Sequence, residues 1–357
     1  MRHIRVLVVD DSAYNRRTLS EVLSMLDGVE VVGKASDGDE ALRMVADLQP
    51  DLITLDLEMP RMDGFTFLRL LMARRPTPVI VVSGYSAKEN VFRALELGAI
   101  DFIAKPARTV TSDLGNVAEE LRRMVAMVRQ LAPASLDPAR RPSVRVGSEA
   151  TGAFAREAAA PRIFGGTEPE RIVVVGSSTG GPTALVELFR RLPPSMSASV
   201  LVAQHMPERF TRTFAERLDR LGGMRVREAS GRHHLEAGVA YVCPGGRCLS
   251  VVREGTGFAC DVVPPASSDR YYPSVDRLFE TAASAVGNRL IAVVLTGMGD
   301  DGARGVVAVS EAGGVVLAES AETAVIYGMP GAAARTGRVT KSLPLRPLCD
   351  HLAELLT

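Results

Sequence analysis

The feature that most constrains this chain is a regular alternation of short β-branched runs with amphipathic segments of helical length. Strands that alternate with helices of about 10–15 residues are typical of a doubly wound parallel sheet. A five-stranded parallel α/β domain is therefore predicted for the first 106 residues, followed by a helix at about 114–130. The five predicted strands are IRVLVV at 4–9, VEVVGKA at 29–35, DLITLD at 51–56, PVIVVS at 78–83 and AIDFIAK at 99–105.

The same alternation restarts at Arg171, so a second doubly wound α/β domain is predicted for the rest of the chain. The stretch 239–263 is rich in short β runs and glycine turns, and it is expected to form an antiparallel β-hairpin insertion in that domain. The main strands of the second domain are expected at 172–176, 199–204, 290–295 and 314–318, with helices between them.

A segment of different composition separates the two patterns. Residues 132–169 hold five prolines, many alanines and several arginines without a sustained apolar period, as expected of an exposed, flexible linker. A chain of 357 residues also fits two domains of roughly 100–200 residues each. The predicted organisation is a first domain at 1–125, a linker at 126–168 and a second domain at 169–357.

Composition argues against several classes of protein. The 42 basic and 42 acidic residues give no net charge, so bulk charge gives no reason to expect nucleic acid as a partner. The apolar runs are strand-sized, far short of the roughly 18 residues of a membrane-spanning helix, so no membrane insertion is expected. The N-terminus lacks a signal-peptide core, and the four cysteines form no CxxC pair. A reducing cytoplasm is therefore the expected location.

Polar and charged side chains follow four of the five strands predicted in the first domain. Asp10 and Asp11 come directly after the first strand, Asp56 ends the third, and Ser83 and Lys105 end the fourth and fifth. Because ligands of a doubly wound sheet bind beyond the carboxyl ends of its strands, these side chains are expected to converge. Clustered carboxylates repel one another unless a cation neutralises them, and an all-oxygen set suits Mg²⁺.

Such a pocket holds the groups needed to stabilise phosphoryl transfer onto a carboxylate. The alternative is that these acids are solvated loop residues or cap the next helix, a role that Asp11 or Ser12 would suit. For one acid alone that alternative is the better interpretation. For five groups, each at the right strand end, the functional interpretation is favoured.

The motifs VVDDS, LDLEMPRMDG, VVSGYS and DFIAKP, at their spacings, resemble those of two-component receiver domains across residues 1–125. The resemblance implies a flavodoxin-like fold in which Asp56 is the phospho-acceptor. It implies a Mg²⁺ site formed by Asp10, Asp11, Asp56 and the backbone carbonyl of Glu58. It also implies three switch residues, Ser83, Phe102 and Lys105. A phosphoryl group adds about 1.5–2 negative charges, enough to draw a loop hydroxyl and a lysine inward. The first domain is thus expected to switch the second.

Serine, histidine and aspartate follow three predicted strands of the second domain. Ser177 and Ser178 lie in the turn GSSTGG, which matches the G-x-S-x-G pattern of a nucleophile elbow. His205 follows the next strand, and Asp300 and Asp301 follow a later one through the turn TGMG. Acyl chemistry needs a serine that attacks a carbonyl, a histidine that takes its proton and an aspartate that orients the imidazole.

Sequence reasoning leaves several alternatives open at this point. It does not choose between Ser177 and Ser178, or between Asp300 and Asp301. Either serine could instead cap the helix that follows, and a glycine-rich turn between strand and helix also fits a phosphate-binding loop. The chain order Ser, His, Asp differs from the Ser, Asp, His order of α/β-hydrolases, so that fold is not expected.

The motifs GSSTGG, AQHMP and LTGMGDDGARG resemble the catalytic domain of chemotaxis protein-glutamate methylesterases over about residues 165–355. The resemblance implies Ser178 as nucleophile, His205 as base and Asp301 as the orienting acid, with no cofactor for the esterase. Ser177 stands where this family often has alanine. The implied reaction is hydrolysis of glutamate methyl esters on chemoreceptors with release of methanol, together with deamidation of receptor glutamines.

The implied partners are the cytoplasmic helices of methyl-accepting chemoreceptors as substrate and a chemotaxis histidine kinase as phosphodonor. In this family the unphosphorylated receiver is expected to cover the catalytic face until Asp56 is phosphorylated. Two other functions remain as alternatives. A phosphate- or nucleotide-binding module would use the glycine-rich turn without hydrolysis. A DNA-binding response regulator would need a helix-turn-helix and a basic face, and neither is predicted for the second half.

Overall fold

The computed structural model describes residues 3–84, 88–105, 111–129, 131, 167–193 and 196–357. It divides the chain into two compact units, Met1–Val144 and Arg145–Thr357. Most of the predicted linker, residues 132–166, lies outside the described residues. Within the described part of the chain, no helix has both the length and the apolar character needed to cross a bilayer.

The first unit contains the predicted five-stranded parallel sheet, in the order β2-β1-β3-β4-β5. Its strands are β1 (Ile4–Val9), β2 (Val29–Ala35), β3 (Leu52–Leu55), β4 (Val79–Ser83) and β5 (Asp101–Ala104). Its helices are α1 (Ala13–Ser24), α2 (Gly38–Leu48), α3 (Gly64–Arg74), α4 (Lys88–Glu96) and α5 (Thr111–Val128). Strands β3 and β4 are buried along their whole length, as expected when helices cover both faces of a parallel sheet.

Short polar side chains begin three helices of this unit, and each satisfies a backbone amide that has no partner inside the helix. Ser12 accepts from the amide of Asn15 at the start of α1. Asp37 and Asp63 do the same at the starts of α2 and α3. Ser12 is therefore the cap of α1, and Asp11, the other candidate for that role, stays exposed in the loop before it.

The second unit is built on a seven-stranded parallel sheet, in the order β15-β14-β13-β6-β7-β10-β8. Its parallel strands are β6 (Arg171–Ser177), β7 (Ala198–Gln204), β8 (Arg225–Glu228), β10 (Val239–Val242), β13 (Leu290–Val294), β14 (Val315–Glu319) and β15 (Lys341–Leu343). Its helices are α6 (Gly181–Arg191), α7 (Glu208–Asp219), α8 (Val275–Val286), α9 (Ala303–Glu311), α10 (Met329–Arg335) and α11 (Leu345–Leu355). Together with the first unit, these elements confirm the predicted α/β fold class.

The predicted hairpin insertion is present, but it is shorter than the stretch 239–263. Residues Val239–Val242 form β10, a parallel strand that pairs with β7 and β8 in the main sheet. The antiparallel hairpin consists of β11 (Cys248–Glu254) and β12 (Gly257–Val263), and β9 (Arg232–His234) pairs with β12. Burial explains the difference: all four residues of β10 are buried, as in a strand covered on both faces, whereas burial along β11 is mixed.

Three neighbouring strands of the second sheet define where its site lies. Strand β6 pairs with β13 on one side and with β7 on the other, all in parallel. Gly176 near the end of β6 is opposite Val294, and Ser177 is opposite Gln204. The segments that leave these three strands therefore emerge side by side at one edge, where open α/β sheets bind their ligands.

Candidate active site and candidate phosphoryl-acceptor site

Ser178 lies in a tight turn between β6 and α6. Its amide donates to the carbonyl of Thr296 at 3.1 Å, and its own carbonyl accepts from the amide of Gly181 at 2.8 Å. Gly180 has a φ of +76°, a conformation that side chains rarely adopt, and it leads directly into α6. A Cβ atom at Gly297 would lie 2.8 Å from the Cβ of Ser178. The two glycine-rich turns thus approach each other closely because glycine occupies these positions.

Ser177 and Ser178 differ in what surrounds them. Ser177 is fully buried, and its hydroxyl donates to Oε1 of Gln204 at 2.7 Å. The Nε2 of the same glutamine donates to the carbonyls of Ser178 and His205, each at 2.9 Å. Ser177 therefore belongs to the scaffold, and Ser178, which is only partly buried, is the more accessible of the two serines. Gln204 fixes the backbone of Ser178 relative to that of His205.

His205 and Asp301 are in direct contact. Nε2 of the imidazole lies 2.8 Å from Oδ2 of Asp301. The same carboxylate accepts the amides of Val275 and Asp276 at the start of α8, at 2.8 and 2.9 Å. Burial alone would raise the pKa of Asp301, but the bonds from His205 and from these amides outweigh it and lower the pKa. An ionised carboxylate at Nε2 assigns the imidazole proton to that nitrogen and leaves Nδ1 as an acceptor.

Asp300 does not contact the imidazole. It is exposed, and its carboxylate lies 3.3 Å from Nη1 of Arg270 and accepts from the hydroxyl of Tyr271 at 3.3 Å. The ring of Tyr271 in turn stacks on His205, with ring centroids 5.1 Å apart and planes 10° apart. Of the two adjacent aspartates, Asp301 is thus the one placed to orient His205. Sequence reasoning missed Tyr271, because it lies in a loop outside every motif.

A second buried network lies behind the serine turn. The hydroxyl of Thr296 donates to the carbonyl of Thr179 at 2.9 Å, and its amide donates to Glu319 at 2.8 Å. Glu319 ends β14, is 1% exposed, and also accepts from the hydroxyl of Thr323. Burial raises its pKa to about 7, since these two donors only partly offset the loss of solvent. Sequence reasoning missed this carboxyl as well, because an acid that follows a strand run is usually solvated.

The first unit brings three of its predicted acids together. Carboxylate oxygens of Asp10, Asp11 and Asp56 lie within 4.8 Å of one another beyond the ends of β1 and β3. Nζ of Lys105 lies 2.9 Å from Asp10 and 2.5 Å from Asp56. Burial raises the pKa of Asp56, although the bond from Lys105 opposes that rise. Burial would lower the pKa of Lys105, but its bond to Asp56 and the charges of both carboxylates raise it instead.

The other predicted residues of this pocket take different positions. Glu58 is exposed, and its amide donates to Oδ1 of Asp56 at 3.4 Å. Ser83 is buried at the end of β4, where its carbonyl accepts the amide of Lys105. Phe102 is also buried, and its ring lies edge-on to that of Phe92 at a centroid distance of 6.4 Å. In this conformation the aromatic side chain at the predicted switch position points into the domain.

An acidic pocket in one parallel sheet, joined in the same chain to an α/β unit with a His–Asp pair beside a serine turn, is the architecture of a response regulator with a hydrolase-type output domain. Two family models match: a response regulator receiver domain at residues 6–112 and CheB methylesterase at residues 173–352. The chain belongs to the CheB methylesterase family, with a receiver domain preceding the methylesterase domain.

Known relatives match over nearly the whole chain. The protein-glutamate methylesterase/protein-glutamine glutaminase 3 of Geobacter sulfurreducens is 47% identical over 356 residues, which cover 97% of this chain and 95% of that protein. The corresponding protein 1 of Myxococcus xanthus is also 47% identical, over 99% of this chain and 97% of its own length. The crystal structure of the Thermotoga maritima CheB methylesterase catalytic domain is 36% identical, with a TM-score of 0.50, and covers 52% of this chain and 98% of that one.

Proposed function

We propose that this protein is a phosphorylation-activated protein-glutamate methylesterase that acts on chemoreceptors, with a second activity as a protein-glutamine deamidase. The observation that carries the proposal is the His205–Asp301 pair, held at the edge of the sheet beside the turn of Ser178. Relatives named for both activities align with this chain over nearly all of its length, which supports the same substrate class.

The proposed reaction begins when Oγ of Ser178 attacks the carbonyl carbon of a glutamate methyl ester. Nδ1 of His205 takes the hydroxyl proton, and Asp301 stabilises the imidazolium through Nε2. The tetrahedral intermediate collapses as the C–O bond to the methoxy group breaks. The proton on Nδ1 passes to that oxygen, so methanol leaves and an acyl-enzyme remains.

Water completes the cycle. His205 takes a proton from the attacking water, the acyl bond to Ser178 breaks, and the proton returns to the serine oxygen, leaving a free glutamate. Backbone amides of the glycine turns around Ser178 are proposed to hold the oxyanion in both steps. A glutamine side chain is an acyl derivative of the same acid, so the same steps release ammonia instead of methanol.

The receiver is proposed to control this reaction through Asp56, which would accept a phosphoryl group from a chemotaxis histidine kinase. The pocket fits a divalent cation, because Asp10, Asp11 and Asp56 converge there as oxygen donors, the ligand type that Mg²⁺ prefers. With the backbone carbonyl of Glu58 they would hold Mg²⁺, which when bound neutralises charge on the phosphoryl oxygens. Lys105 already bonds to Asp56 and would pair with its phosphoryl group, and Ser83 would bond to it.

The substrate implied by this function is a methylated helix of a chemoreceptor on its cytoplasmic side, so the enzyme is proposed to work in the cytoplasm. Phosphorylation of Asp56 is proposed to relieve a restraint that the receiver places on the catalytic unit. Ser83 and Phe102 would carry the change away from the phosphoryl group, because each lies at a strand end or in a strand next to the pocket.

Methanol release from methylated chemoreceptor membranes tests this function. The full chain is assayed with and without a small phosphodonor and Mg²⁺, beside Ser178→Ala and the matched control Ser177→Ala. We expect Ser178→Ala to abolish release and Ser177→Ala to keep most of it, because the Ser177 hydroxyl contacts only the scaffold. Wild-type release should rise with the phosphodonor. Absence of methanol from folded protein under every condition would contradict the proposal and favour a phosphate-binding module.

A further inference from the structure

The proposed mechanism leaves one degree of freedom of His205 unexplained. Its bond to Asp301 fixes one nitrogen of the imidazole, but a single bond in the ring plane leaves the ring free to tilt about that contact. Proton transfer to and from Ser178 needs Nδ1 to keep one direction, since small misplacements of a catalytic group are costly. A second contact, to the face of the ring, would remove this freedom.

Tyr271 supplies such a contact. Its ring lies parallel to the imidazole, with centroids 5.1 Å apart and planes only 10° apart. Asp301 therefore holds the edge of His205, and Tyr271 covers one face. The two contacts act in perpendicular directions, so together they define the plane of the ring as well as the position of Nε2.

Tyr271 is itself held in place by charged neighbours. Its hydroxyl donates to Asp300 at 3.3 Å, and the guanidinium of Arg270 lies 5.6 Å from its ring centroid and also pairs with Asp300. Gly299 leaves room for the phenol, because a Cβ there would lie 2.8 Å from the hydroxyl. Burial and the charge of Asp300 raise the pKa of Tyr271, so the phenol keeps its proton near neutral pH and can donate it.

We propose that Tyr271 is a positioning residue for His205, and that Asp300 anchors it. The two adjacent aspartates then hold the imidazole in different ways, since Asp301 binds its edge and Asp300 secures the aromatic ring that packs on its face. This inference rests on the proposed role of His205 as the base. It assigns Tyr271 no contact with the substrate, so its loss should lower kcat and leave KM nearly unchanged.

Steady-state methanol release by the full chain tests the role in catalysis. We expect Tyr271→Phe, which keeps the ring, to stay within about threefold of wild-type kcat, because one exposed hydrogen bond is lost. Tyr271→Ala removes the stacked ring and should lower kcat roughly tenfold, about 1.4 kcal/mol in activation free energy, with KM within about twofold. The control is Tyr272→Ala, which removes the neighbouring tyrosine, 57% exposed, and should change neither constant more than about twofold.

Each other outcome of the kinetics contradicts the proposal. A change confined to KM would make Tyr271 a substrate contact. An equal loss in Tyr271→Phe and Tyr271→Ala would assign the effect to the hydroxyl and not to the ring. Full activity of folded Tyr271→Ala would show that Asp301 alone orients the imidazole.

A spectroscopic test does not depend on the reaction. In full-length protein with isotope-labelled histidine, the His205 ring protons should show the ring-current shift of a stacked aromatic, and Tyr271→Phe should keep it. Asp300→Ala releases both the Tyr271 hydroxyl and Arg270 and should reduce the shift, and it also serves if Tyr271→Ala fails to fold. An unchanged His205 signal in every variant would refute the positioning role even if methanol release is confirmed. A shift that depends on Tyr271 in a protein without esterase activity would instead refute the proposed function and keep the stacking.

Discussion

Each of the two units buries an aspartate at the carboxyl end of its parallel sheet, but the surroundings shift the pKa values of the two carboxyl groups in opposite directions. Asp56 in the receiver is 5% exposed and Asp301 in the catalytic unit is 2% exposed. Burial is the largest single influence on both pKa values, and by itself it would raise each of them. The net result nevertheless differs: the pKa of Asp56 is raised, and that of Asp301 is lowered.

The difference comes from what each carboxylate accepts. Asp301 receives two amides from the start of α8 as well as the His205 bond, and the positive end of the helix dipole favours its charge. Asp56 shares Lys105 with Asp10, whose negative charge raises the pKa of Asp56 further. A carboxylate saturated with fixed donors is suited to a passive, orienting role. A carboxylate that shares a cation with a second acid, as Asp56 does, is stabilised further when another positive charge binds. That property suits the proposed phosphoryl acceptor.

We expect the largest loss of activity from a substitution at Asp301, the carboxylate with several fixed donors. Asp301→Asn keeps the shape of the side chain but removes the charge that, in the proposed mechanism, stabilises the imidazolium and fixes the proton on Nε2. We expect kcat for methanol release to fall about 1,000-fold or more, the scale of such changes in serine hydrolases. The matched control is Asp300→Asn in the adjacent position, which should cost no more than about tenfold. Equal losses in the two variants would show that the contacts of Asp301 carry no special role.

We expect Asp56, the carboxylate with fewer fixed donors, to affect only the activation of methanol release by the phosphodonor. Asp56→Asn removes the proposed acceptor, so methanol release should be the same with and without phosphodonor and Mg²⁺. Glu58→Gln is the matched control, since only its backbone carbonyl is proposed as a ligand and its side chain is exposed. That variant should respond to the phosphodonor as wild type does. Stimulation that survives in Asp56→Asn would place the acceptor at another residue.

The sequence was sufficient for the longer strands. Strands β1 and β2 have the predicted bounds, and the strands that precede Ser178, His205 and Asp301 were predicted within a residue or two. It missed or misassigned the strands of three or four residues in the second unit. Strand β10 was assigned to the hairpin because short β runs and glycine turns fill the stretch 239–263, and β15 has only three residues, two of them exposed.

Adjacent residues of the same type at a strand end could not be assigned different roles from the sequence. Ser177 and Ser178 point in different directions, and only the partner on the neighbouring strand, Gln204, shows which of them is used up in the scaffold. The same holds for Asp300 and Asp301, whose roles depend on Tyr271 and on the start of α8. Such contacts join residues about 25 to 30 positions apart, and no local pattern encodes them.

A third buried carboxyl group, that of Glu319, makes the stability of the catalytic unit depend on pH. Among the described residues no basic side chain pairs with Glu319, which accepts only from the Thr296 amide and the Thr323 hydroxyl. Its pKa of about 7 in the folded protein exceeds the usual 4.5, so the unfolded chain releases this proton first. Its contribution to stability is therefore lost as pH rises from about 4.5 to above 7. At about 1.4 kcal/mol per pH unit, the difference amounts to about 3 kcal/mol.

Glu319→Gln tests the direction of this pH dependence of stability, because an amide does not titrate. We expect the urea midpoint of the catalytic unit, measured in the full chain, to be close to that of wild type at pH 5 and clearly higher at pH 8. The control is Glu311→Gln, an exposed acid at the end of α9, which should follow wild type at both pH values. A Glu319→Gln variant that is less stable than wild type at pH 8 would mean that the ionised carboxylate is well accommodated. Glu319 would then resemble Asp301, and two neutral donors would be enough to hold a buried charge.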